Sequence, residues 1–93
     1  MTQLELIKSL NNIGVHPRNY TFNDEPYKDS SWVLEYSYNY VNNTKYKVWN
    51  VFFIERGKHS DEKSFTLEND ACLYIYEKLK HWQDTITKFN LKS

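Results

Sequence analysis

One cysteine, two glycines, two prolines and no excess charge of either sign are the scarcities of this 93-residue chain, and each removes a class of protein. A lone Cys72 allows no internal disulfide, so the domain must be held by packing, and its thiol suits a reducing compartment. Two glycines cannot build a glycine-rich phosphate loop, no serine stands in a G-x-S-x-G elbow, and the composition excludes collagen and low-complexity linkers. Twelve basic residues balance twelve acidic ones, which is not the footprint that phosphate neutralisation demands of a dedicated nucleic-acid binder. The apolar run Val51–Ile54 is far too short to span a bilayer, and the opening Met1-Thr2-Gln3-Leu4-Glu5 lacks the basic start and apolar middle of a signal peptide. The expectation is a soluble, cytoplasmic protein with neither nucleic acid nor membrane as partner.

What the chain does have is 40% apolar and 17% aromatic residues, enough to fold, in a length that supports one core and hence a single domain over 1–93. Leu4, Ile7 and Leu10, with Leu6, Leu10 and Ile13, recur at three- and four-residue steps and predict an amphipathic helix from Thr2 to Asn12. Gly14 is placed to close it in a left-handed conformation with Val15 as hydrophobic contact, and Pro17 bars its resumption. Tyr20 and Phe22 suggest a short strand, followed by an acidic loop of Asp24, Glu25 and Asp29 that suits either solvent or a basic partner. From Trp32 the alternation is clean, and Asn42-Asn43 reads as the two-residue tip of a hairpin, because asparagine tolerates positive φ. That tip sets Trp32, Leu34 and Tyr36 opposite Phe53, Val51 and Trp49 on one face. Val33, Glu35, Ser37 and Asn39 fall opposite Phe52, Asn50, Val48 and Tyr46 on the other.

Glu55 to Lys63 reads as a loop and Ser64-Phe65 as a short last strand. Thr66 is the expected N-cap of a long helix whose stripe is Leu67, Ala71, Ile75, Leu79, Trp82, Ile86 and Phe89, bordered by Cys72 and Tyr76. These elements predict a two-layer α+β domain: an N-terminal helix, a three- to four-stranded antiparallel sheet, and a long C-terminal helix packed with the first on the aromatic face.

Chemistry is harder to find. His16, His59 and His81 have no second ligand at metal spacing, so neither metal nor cofactor is expected. Cys72 as a nucleophile needs a base that its own helix does not bring near, and a small buried side chain is the simpler account. Glu55, Lys58 and His59 define a small-nuclease alternative in which carboxylates hold Mg²⁺ and lysine steadies phosphate, but Glu55 and Lys58 are three positions apart where a shared strand face needs two. In the structural reading of the same motif, Gly57 makes a left-handed turn while Arg56 pairs with Glu55 or caps the long helix. Tyr36 and Trp49 belong to the core. Tyr38 and Tyr40, opposite Lys47 and Lys45, are available to anchor a protein interface.

The pattern Trp49-x-x-Phe52-Phe53-x-Glu55-Arg56-Gly57, followed by Phe65-x-x-Glu68-x-x-Ala71-Cys72-x-Tyr74-Ile75, resembles small immunity proteins of bacterial polymorphic toxin systems, the kind encoded beside contact-dependent growth inhibition toxins. The segment Leu10-Asn11-Asn12-Ile13-Gly14-Val15-His16-Pro17 is similar to the N-terminal part of such proteins. The resemblance implies a non-enzymatic toxin inhibitor that binds the C-terminal domain of a cognate toxin in the producing or sibling cell and blocks its active site or substrate access. No catalytic residue carries over, and the neutral charge departs from acidic immunity proteins that mimic nucleic acid, which leaves the toxin's chemistry open. Exposure selects Glu35, Asn39, Tyr46, His59, Asp61 and Glu62 as the expected partner-binding residues, with Glu55, Arg56 and Gly57 as structural motif residues. The alternative outside the resemblance is an adaptor module without a toxin partner.

Overall fold

The computed structural model describes residues 1–23 and 25–88, with side chains described through Thr85; Asp24, Phe89 and the Ile86 side chain, named above, lie outside the described residues. Helix α1 spans Gln3–Asn12 and strand β1 Tyr20–Phe22; β2 is Ser31–Val41, β3 Thr44–Glu55, β4 Lys58–Phe65, and helix α2 Glu68–Lys88. The sheet order is β1-β2-β3-β4, and both helices lie on one face, a two-layer α+β arrangement.

Local chemistry explains the ends of α1. Thr2 and Glu5 form a reciprocal capping box, which satisfies two amides that the first turn leaves without partners. At the other end Gly14 takes φ +84°, the Val15 amide donates to the Leu10 carbonyl and the Gly14 amide to that of Asn11, and the apolar contact expected of this cap is made inside the core by Leu10 and Val15. A 3-10 turn, Pro17–Asn19, follows rather than more α-helix. The Gln3 amide donates to the Glu68 carboxylate, the Met1 ammonium to Asn69, and Gly14 lies beside Gln83, so α1 and α2 run side by side in the same direction.

The β2–β3 register is the one predicted: Trp32 opposite Phe53, Leu34 opposite Val51, Tyr36 opposite Trp49, Tyr38 opposite Lys47 and Tyr40 opposite Lys45. Asn42 and Asn43 form the tip with φ 51° and 65°. Leu6, Leu10, Leu34, Val51, Ala71, Cys72, Ile75 and Leu79 are buried together between the layers. Burial pushes the Cys72 thiol up to about 11, which makes it a packing residue at neutral pH.

Four expectations need correction. The sheet is mixed, because β1 pairs parallel to β2 through Tyr20–Trp32, Thr21–Val33 and Phe22–Leu34. Parallel neighbours usually need a long crossover. A strand of three residues requires so little backtracking that Asn23 to Ser30 suffices. Second, β4 begins at Lys58 rather than Ser64: Arg56 and Gly57, at φ 52° and 77°, close a second two-residue hairpin, and most of the strand is exposed and polar, held by backbone pairing to β3. Third, α2 starts at Glu68 with the Leu67 carbonyl accepting from Ala71, so Thr66 does not cap it. Fourth, Leu4, Leu67 and Trp82 are exposed: Leu67 precedes α2, and Leu4 and Trp82 line surface concavities at the margins of the helix–sheet interface rather than entering the core.

Candidate interaction surface

The sheet face away from the helices is not open along its whole length. Near the Arg56-Gly57 turn it carries a second small core of Val33, Phe52 and Ile54. The chain between β1 and β2 folds over it. The Thr21 and Ser31 hydroxyls meet at 2.9 Å in a buried pair, the Lys28 amide donates to Thr21 Oγ1, and Ser31 Oγ donates to the Lys28 carbonyl. At the far side the Arg56 amide donates to Asp29 Oδ1. The backbone of the motif residue Arg56 thus anchors the β1–β2 segment; its side chain is in none of the ion pairs found among the described residues, Glu55 included, and the last turn of α2, which it was expected to cap, lies at the limit of the described residues.

Tyr27 is the lid of that small core and was not a sequence candidate. Its ring meets Phe52 edge-on at 5.8 Å and His59 at 6.1 Å, while His59 stacks flat on Phe52 with centroids 3.9 Å apart. The Tyr27 hydroxyl donates to Glu35 Oε2 at 2.7 Å, and desolvation, reinforced by the carboxylates of Glu35 and Glu62, pushes it up to about 12. His59 Nδ1 lies 4.0 Å from Glu62. Glu35, His59 and Glu62 are thus drawn together around Tyr27. Asp61 sits in the β-bulge of β4 at φ 53°, where one strand carries an extra residue. A lone aromatic after Pro26 in a polar segment was the only signal for Tyr27.

Asn39 and Tyr46 belong to a different region. They oppose each other near the hairpin tip, four residues along β2 from Glu35, on the order of 13 Å away. Beyond Tyr36 the hairpin leaves the helices behind: every residue from Ser37 to Lys47 is exposed, including Tyr38 (46%), Tyr40 (69%), Val41 (54%) and Tyr46 (49%). On the helix side of this arm, Lys45 Nζ lies 4.1 Å from the Tyr38 ring centre, and Lys47 Nζ lies 4.0 Å from Tyr36 and 4.5 Å from Trp49.

The nuclease trio does not converge. Glu55 and Lys58 are cross-strand partners flanking the Arg56-Gly57 turn, whereas His59, one residue on, falls on the opposite face against Phe52. A concavity of about 700 Å³ between α2 and the end of β4 is lined by Phe65, Leu73, Tyr74 and His81 among others, none of them an expected partner-binding residue. Compared with known proteins, the chain matches no protein-family model, no curated protein and no solved structure. A functional reading therefore stands on the surface itself.

Proposed function

We propose that this chain is an immunity protein: it binds the C-terminal domain of a cognate toxin in the cytoplasm of the producing or sibling cell and neutralises it by occupation, with no turnover of its own. The observation that carries this reading is the hairpin arm, where Tyr38, Tyr40, Val41 and Tyr46 stand exposed on a ladder of regular register. Exposed aromatics on a rigid support lose little conformational freedom on binding, and tyrosine is favoured among residues that dominate interface energy. On the face turned away from the helices, Asn39, Val41 and Tyr46 lead towards the Tyr27–Glu35–His59–Glu62 cluster at the base, while Tyr38 and Tyr40 occupy the opposite face of the arm; a specific interface uses roughly 800 Å² on each partner.

The test is co-expression with the toxin fragment encoded beside this gene. Survival of cells that otherwise die, together with a stoichiometric complex, supports the proposal; death despite soluble expression of this chain ends it. A partner encoded elsewhere, bound through the same tyrosines, would instead make the chain an adaptor.

A further inference from the structure

The backbone of the hairpin arm has one free edge that is unprotected. The Tyr36 amide points away from β3 and donates to Asn23 Oδ1 at 2.9 Å. In an antiparallel ladder the donor and acceptor of one residue share a side, and that side alternates, so Tyr38 and Tyr40 direct theirs the same way as Tyr36. β1 pairs only with Trp32 to Leu34, so among the described residues no strand lies beside Tyr38 and Tyr40. Natural edges are blunted by lysine, proline or bulges. The other free edge of the arm, on β3, carries Lys45 and Lys47, whereas Ser37 to Val41 holds neither charge nor proline. Residues 36–49 contain no acid, so the arm itself supplies no carboxylate to the two ammoniums over Tyr36 and Tyr38, and neither lysine is in an ion pair found among the described residues. They lie about one strand spacing, ~4.8 Å, from where an added strand would run.

We propose, building on the binding reading above, that the partner docks by adding an extended acidic segment of its own as a fifth strand beside Ser37–Val41. Its backbone bonds Tyr38 and Tyr40, and carboxylates at alternate positions face the Lys45 and Lys47 ammoniums. A second copy of this chain is a poor occupant, because it brings a second pair of lysines to the same face with no acid to meet them. Stacked bases are a poor occupant too, since lysines already cover the rings of Tyr36 and Tyr38.

The experiment titrates the isotope-labelled full chain with two short strand-forming peptides that are identical except for glutamate or lysine at alternate positions. The glutamate peptide should bind about tenfold more tightly, the sum of two modest cross-strand charge pairs, and should shift and protect the Tyr38 and Tyr40 amides. Tyr40→Pro removes an outward-facing donor while leaving the β2–β3 hydrogen bonds in place, and should abolish binding with the hairpin resonances retained. Lys45→Glu combined with Lys47→Glu should invert the peptide preference. Equal affinity for both peptides, no binding of the glutamate peptide, indifference to both variants, or dimerisation of the free chain through this edge would each overturn the proposal. A toxin complex undiminished by Tyr40→Pro ends strand addition and leaves the immunity reading standing. Glutamate-peptide binding by a chain that protects no cell does the reverse.

Discussion

The two halves of the β2–β3 hairpin share one register and one alternation, yet they meet opposite environments. At the base, Leu34 and Val51 are fully buried beneath the helices and Val33 and Phe52 beneath the Tyr27 segment, so both faces are covered. Past Tyr36 and Trp49 the same ladder runs on with neither cover. Strand pairing alone therefore does not decide which part of a sheet is core; the reach of the flanking elements does. The base holds the molecule together, and the arm is left exposed.

The largest effect that tests this contrast is Leu34→Ala, which should destabilise the fold by about 2–5 kcal/mol in urea unfolding through loss of transfer free energy and an unfilled cavity. Tyr40→Ala, six residues along the same strand, should stay within about 0.5 kcal/mol. Similar losses at the two positions would show the arm to be structural and erase the distinction.

The two hairpin turns offer a finer comparison. Gly57→Val meets no steric obstruction to its Cβ, but it forces a β-branched residue to φ +77° and should cost about 1–2 kcal/mol or more. Asn43→Gly at the other tip should change stability by only a few tenths of a kcal/mol. A neutral Gly57→Val would mean that the second turn is not rigidly held. Thr2→Ala removes the capping side chain where α1 meets α2 and should cost about 1 kcal/mol, with no effect on partner binding by the arm.

A smaller effect concerns acid. Backbone hydrogen bonds hold two carboxyls below the ordinary range, Glu5 through the Thr2 amide and Glu25 through the Phe22 amide, with the hydroxyl of Thr2 and the Lys28 ammonium assisting. A lowered folded-state value stabilises above the unfolded glutamate range and is lost as pH falls through the folded values. Glu5→Gln and Glu25→Gln should each flatten the acid limb of a plot of urea midpoint against pH, and neither should alter it near neutrality beyond a constant offset. An unchanged acid limb in both variants would remove these groups as its source.

Much of this was legible in the residues. The Trp32–Tyr40 alternation and the Asn42-Asn43 tip sufficed to set the register, because a one-residue slip turns every side chain to the other face. Gly14 and Val15 marked the end of α1 as clearly. β4 was hidden because Lys58 to Ser64 offers almost no apolar periodicity; its pairing uses backbone groups, which every sequence possesses. Among the candidate contact residues, Glu35, His59 and Glu62 share a neighbourhood that depends on Tyr27, and Asn39 and Tyr46 share another.

By itself the sequence determined the local conformations and the hairpin register, since caps, turns and side-chain alternation act between residues close along the chain or tied by a tight turn. Only the tertiary structure decided that β1 runs parallel, that Tyr27 closes over Phe52, and that the helices stop short of Tyr38. Those outcomes depend on where separate segments come to rest on one another. Periodicity states which side of a segment is apolar, but it carries no record of how far the covering element extends.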